Sequence, residues 1–244
     1  MRRTTHWLTS TLVMLIALTP ALTVSAQATD KKSPERPEIR VIGLVGEPTH
    51  IAADKTESVA MLGDRLDYGS RLKTDNASRA AITVRWSRDV PGESLDLVMV
   101  GPESDVTFAS NDALDTLESS SRAVVVMVRD GIVRVIARAP GDATGLYLKE
   151  GPREARCLRT DVVVATEPAT KSATYYCRFG QVGIRQASRL MLLNSGLMRE
   201  ISRGEPKGAK RFATFQWRDL ENKTDIDDVV TEFASPVANR DDDE

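Results

Sequence analysis

GDRLDYGSRLKTDNASRAAITV, running from Gly63 to Val84, is the stretch whose reading decides the fold class. Gly63, Leu66, Gly69, Leu72 and Thr74 mark short extended pieces joined by tight turns, and Arg79 to Trp86 then alternates polar and apolar residues as a half-buried strand does. Nothing in the stretch follows the 3.6-residue period of a helix, so the chain is read as a β-scaffold from this point outward.

Further strands are expected near Arg40–Gly46, Ser58–Leu62, Arg71–Lys73, Leu95–Val100, Asp105–Ala109, Arg122–Val128, Ile132–Ala137, Ala155–Thr160, Val162–Thr166, Ala173–Phe179, Val182–Gln186 and Arg189–Leu193. Asp130-Gly131 separates two β-branched runs and suits the positive φ angles of a hairpin turn. Helical spacing is sparse, limited to Asn111–Ser120 and Asp225–Phe233. The expected fold class is all-β, a sandwich or a solenoid-like stack, with a short helical or irregular C-terminal extension.

Arg2 and Arg3 precede an apolar run from Trp7 to Leu22, and Val24-Ser25-Ala26 offers the small residues that a signal peptidase requires. Residues 1–26 are therefore expected to be a cleaved export signal, which places the chain in the periplasm or outside the cell. The alternative, an uncleaved anchor, is disfavoured by the shortness of the run and by Pro20. Residues 27–38 read as a flexible lead-in, residues 39–202 as the β-domain, and residues 203–244 as an extension with an acidic tail. The chain carries 33 Lys+Arg against 35 Asp+Glu, a net charge of −2, with no basic cluster. That balance argues against nucleic acid or an anionic membrane surface as partner, since both are held by concentrated Lys and Arg.

The ordered motifs resemble the FecR domain, the periplasmic part of ferric-citrate-type regulators, over roughly Ile39 to Ile201. The family pattern G-D-x-L-x-x-G-x-x-L-x-T is similar to Gly63, Asp64, Leu66, Gly69, Leu72 and Thr74, followed by Ala80, Ile82 and Val84. Leu97-Val-Met-Val-Gly-Pro-Glu-Ser-Asp-Val-Thr-Phe108 resembles the next element, Asp130-Gly131-Ile132-Val133 the G-x-V element, and Phe179-Gly-Gln-Val182 and Leu192-Leu-Asn-Ser-Gly196 the later ones. The chain departs from the pattern at Ser87–Ser94, a longer connection, and at Val164–Thr170. The resemblance implies a non-catalytic module that binds another envelope protein in sensing, signalling or envelope assembly. A cytoplasmic segment and a membrane helix after the signal, both found in full regulators, are not expected here. A module for peptidoglycan or polysaccharide is the alternative partner class.

Candidate chemistry is thin. Cys157 and Cys177 form an even pair, expected to be a disulfide in an exported chain, with two unpaired buried thiols as the alternative. Ser70 and Lys73 fit S-x-x-K, but in an extended segment residues three apart face opposite ways, and the pair reads as a surface Ser and a solvated Lys. His50 is the only histidine after the signal and reads as an exposed loop residue. Neither a metal site nor a cofactor is expected, nor is an enzyme. Phe212, Phe215 and Trp217 follow a Lys/Arg/Gly-rich stretch and are candidates for a partner-docking strand, with core packing as the competing role.

Overall fold

The corners of the fold, more than its strands, fix its architecture. The computed structural model describes residues 36–86, 95–115, 123–138, 145–167, 169–202 and 206–226. The expected export signal, most of the lead-in, the Ser87–Ser94 connection and the acidic tail lie outside them. In chain order the strands are β1 (Glu38–Val45), β2 (Thr49–Ile51), β3 (Glu57–Val59), β4 (Arg71–Lys73), β5 (Arg79–Arg85), β6 (Leu95–Val100), β7 (Asp105–Ala109), β8 (Ala123–Asp130), β9 (Ile132–Ala137), β10 (Gly145–Glu150), β11 (Arg153–Glu167), β12 (Ser172–Gln186), β13 (Arg189–Asn194), β14 (Leu197–Ile201) and β15 (Lys210–Arg211). One helix, α1 (Thr214–Thr224), follows them. The fold is thus all-β with a short helical extension. No helix among the described residues is long and apolar enough to cross a membrane.

The strands make two layers that share β11 and β12. The first layer runs β1-β5-β6-β9-β11-β12-β14-β15 and the second β3-β2-β4-β7-β8-β10-β11-β12-β13. Residues 160–165 of β11 pair with β9, whereas residues 153–157 pair with β10, so the strand passes from one layer into the other. The passage is a kink with shifted register at Leu158–Asp161, where Arg159 takes φ 45°. Gly180 of β12 lies against it, and a Cβ there would sit 2.2 Å from the Arg159 carbonyl oxygen, so only glycine fits.

Asp130-Gly131 does not close a hairpin, contrary to the sequence expectation. β8 pairs with β7 and β10, and β9 pairs with β6 and β11, so the turn carries the chain between layers. Its reason is local. Gly131 has φ 90°, and a Cβ on it would come within 2.1 Å of Ser104 Oγ. Ser104 sits in the neighbouring corner, Gly101–Ser104, and its hydroxyl accepts the Ile132 N–H at 2.9 Å. The hydroxyl of Thr74 donates to the Gly101 carbonyl at 2.6 Å and accepts the Ser104 N–H at 2.8 Å. The opening motif therefore ties two corners together. Its earlier part crosses the layers too, with Leu66 N–H bonded to Ile39 in the first layer and Gly69 N–H to Phe108 in the second.

Alternation then fills the space between layers. Ile82, Val84, Val98, Val100, Val133, Val135, Val162 and Val164 point inward from the first layer, and Val106, Val124, Val126, Val128, Leu146, Leu148 and Ile184 from the second. Each side chain of this kind, fully removed from water, contributes roughly 1.5–3 kcal/mol.

Candidate functional site

The outer faces of the two layers differ, and the expected site residues divide between them. On the first layer, Val163 and Ile132 are covered by α1 through Trp217 and Leu220. Gln216 fixes the helix start by accepting the Ala213 N–H at 2.8 Å. Trp217 is 4% exposed, and Phe212 stacks on it at 5.7 Å and meets Tyr176 edge-on at 5.9 Å. The expected docking strand is therefore a helical clasp packed on its own domain. Phe215 points away and is 73% exposed.

Beneath the helix lies Arg134, 2% exposed and placed on the outer side of β9. Its Nε and Nη2 donate to both oxygens of Asp161 at 2.9 and 2.8 Å, and its Nη1 donates to Asp225 at 2.6 Å. Glu221 stands 3.7 Å away, and the Trp217 ring lies 5.2 Å from the guanidinium carbon. Burial alone would lower the Arg134 guanidinium, but the hydrogen bonds and charge of Asp161 and Asp225 outweigh it and hold the group above its ordinary range. Burial raises Asp225 despite Arg134, because that arginine's charge is shared with Asp161 and Glu221 adds repulsion. Arg178 closes the cluster, paired with Glu221 and 5.5 Å from the Trp217 ring.

The cysteines face the core on neighbouring strands, with Cys157 opposite Val182 and Cys177 opposite Val162. They stand on either side of the kink and remain separate thiols, so the expected bridge is not formed. Burial pushes both thiols up. Ser70 is 2% exposed rather than at the surface, while Lys73 is exposed. His50 belongs to β2 rather than to a loop, with Nδ1 4.0 Å from Asp64. Among the described residues no group of three or more His, Cys, Asp or Glu is placed to hold a metal ion.

Among the described residues, the second layer's outer face is covered in part. Ala113 and Leu114, in and after a short 3-10 turn at Asn111–Ala113, pack with Val125 and Tyr147. Glu154 accepts the Asp115 N–H and stands 3.4 Å from Lys149 Nζ. Beyond that cover a groove of about 260 Å³ opens over β10 to β13, lined by Tyr147, Glu154, Arg156, Leu158, Gln181, Gly183, Arg185, Leu190 and Leu192. Leu190 and Leu192 are 57% and 53% exposed, and among the described residues β13 pairs only with β12. The arginines and leucines are placed by strand alternation, since Ile184, Met191 and Leu193 between them turn to the core. Sequence reading missed this groove. Its available trace was the pair of leucines out of phase with Met191 and Leu193.

No family model and no curated protein matches the chain. Two crystal structures of a candidate anti-sigma factor from Parabacteroides distasonis are similar to it, each with a TM-score of 0.45 and 11% sequence identity. In each case the match covers 61% of this chain, and this chain spans 62% of the length of that one.

Proposed function

We propose that the chain is an exported, non-catalytic binding module of the FecR type that takes a partner protein of the cell envelope on the outer face of its second layer. The observation that carries this reading is the groove beside β13, where exposed leucines and two arginines adjoin a strand that, among the described residues, is paired along one edge. Apolar side chains held at a sheet edge commonly mark a place where another strand adds. The absence of catalysis is part of the proposal, supported by a buried Ser70 and an exposed Lys73 that do not form a nucleophile pair. Of the aromatic trio, Phe215 is the member we assign to partner contact, because Phe212 and Trp217 are engaged internally.

The test is affinity capture from an envelope extract with the full chain and with Arg185→Glu. One envelope protein retained by the first and lost with the second is the expected result. Retention by purified sacculi, lost with the same substitution, would replace the protein partner by a cell-wall polymer.

A further inference from the structure

We propose that the groove over β10 to β13 takes an aromatic side chain of the partner, laid on the backbone of Gly183 among the arginines and leucines around it. The proposal rests on the reading of this face as the binding face, and it names the chemistry of the contact.

Gly183 is the place on the outer face of β12 that has no side chain. In register it stands between Arg156 of β11 and Leu192 of β13, with Gln181 and Arg185 two residues to either side on the same face. All five residues line the groove. Gly183 thus makes its floor.

The fold itself does not require a glycine there. Gly131 and Gly180 have positive φ and leave no room for a Cβ, which would come within 2.1 and 2.2 Å of other atoms. Gly183 has no positive φ, its pairing with Arg156 and Leu192 is regular, and a Cβ would meet Leu190 Cδ1 at 3.5 Å and Leu192 Cδ2 at 4.0 Å, which are ordinary contacts. Glycine weakens a strand, and where no bulge or bend needs it, it marks a place where another group comes close to the backbone.

The walls of the groove select that group. Beside the groove Lys149 pairs with Asp115 and Glu154, so that with Arg156 and Arg185 three positive groups stand near two negative ones. An excess of one charge is too small to choose an acidic partner. A carboxylate would suit the arginines but leave Leu190 and Leu192 wet, and an aliphatic side chain would do the reverse. An aromatic ring meets both demands, being apolar in bulk and negative over its face, where guanidinium groups stack. It is also flat, as is a floor of bare peptide, and aromatic side chains laid across strand glycines play the same part within sheets. The aromatic residue among those lining the groove, Tyr147, lies one strand further away, opposite Arg156, and packs with Val125.

Titration of the isotope-labelled full chain with N-acetyl-L-tryptophan amide, followed by NMR, tests this. N-acetyl-L-cyclohexylalanine amide serves as an apolar probe without a π-face, and N-acetyl-L-aspartyl amide as a carboxylate. The expected result is saturable ring-current shifts at the Gly183 amide and the Leu190 and Leu192 methyls, with binding of the cyclohexyl probe weaker by roughly threefold or more. Gly183→Val, which fills the floor, should abolish the shifts at the leucine methyls without lowering the unfolding midpoint, because valine suits a strand. Gly183→Ala is the smaller filling should valine disturb the pairing. Equal binding of the two apolar probes, stronger binding of the aspartyl probe, no shift at Gly183, or a midpoint lowered by Gly183→Ala would each overturn the proposal. The reading beneath it is judged separately by capture from an envelope extract. A protein lost with Arg185→Glu but kept by Gly183→Val leaves the binding face without its aromatic anchor, and one kept by both variants removes the face itself.

Discussion

Arg134 and Arg185 both project from the outer face of a β-layer, Arg134 between the core residues Val133 and Val135 and Arg185 next to Ile184, but one lies beneath a helix and the other in a groove. Arg134 lies under α1 with two oxygens of Asp161 and one of Asp225 upon it. Arg185 lines an open groove next to Leu190 and Leu192. Among the described residues, the difference follows from what the chain lays over each face, a clasp of Phe212, Trp217 and Leu220 on one and the short segment through Leu114 on the other. A layer that is sealed by its own chain contributes stability, and the groove over the other is the face we propose for a partner.

The sharpest way to break the comparison is to remove the buried cation. Arg134→Ala leaves Asp161 and Asp225 without their counter-charge beneath the helix, and removal of one partner from a buried ion pair costs about 3–5 kcal/mol. Urea unfolding should show that loss, while Leu190→Ala, at an exposed position of the groove, changes stability by no more than about 0.5 kcal/mol, as surface changes do. Comparable losses at both positions would mean that the groove is as structural as the clasp.

Trp217→Ala probes the apolar half of the same contrast. Truncating a buried tryptophan costs about 3–5 kcal/mol, less where the site collapses, and it should also free α1 to exchange its amide hydrogens. Phe215→Ala, on the side of α1 away from the buried stripe and 73% exposed, should leave stability within about 0.5 kcal/mol. Hydrogen exchange localised to residues 214–224 in the first variant and absent in the second would sharpen the assignment of the helix as a clasp.

These two faces also mark where the sequence was legible and where it was not. The corner residues could be read, because a turn that admits only glycine, or that needs a hydroxyl to bind two backbone groups, restricts residue type sharply. Gly69, Thr74, Ser104 and Gly131 are of this kind, although the layer crossing at Gly131 passed for a hairpin since both need the same positive φ. The inward valines were readable from alternation. Long β11 and β12 were each read as two strands, because a kink at Arg159 or Gly180 looks the same in sequence as a break. The helix escaped notice because its buried stripe is only Trp217, Leu220 and Thr224, and Ala213 offers no capping side chain. Arg134 was not singled out, since an arginine between Val133 and Val135 is normally solvated and nothing local announces that a helix 80 residues later will cover it.

The thiols give a smaller effect with a clear sign. A bridge between Cys157 and Cys177 would contribute roughly 3 kcal/mol through the unfolded chain. As separate buried thiols they contribute none of that, so a reductant should leave the unfolding midpoint unchanged. Ellman's reagent should react with both only after unfolding, in step with the loss of β-structure. Reaction of one thiol in the folded chain would indicate that the kink opens.

Asp225 offers the finest distinction, between a carboxylate that strengthens the clasp by its charge and one that tolerates it. Burial raises its proton affinity in the folded chain above the ordinary value of 3.8, while Arg134, the Thr224 hydroxyl and the nearby Glu221 act on it in opposing directions. A group whose folded pKa is raised favours the folded state in its protonated form. Its contribution is therefore full below pH 3.8 and falls as pH rises through the folded pKa. Asp225→Asn keeps an oxygen for Arg134 and cannot titrate, so the stability of the native chain relative to this variant should decline from acid toward neutral pH. Other carboxylates, such as Asp75 with its lowered pKa, bend both profiles equally and cancel in the difference. A difference that rises toward neutral pH would show instead that Arg134 favours the Asp225 charge by more than burial opposes it, and the clasp would then be held by three full ion pairs on one arginine.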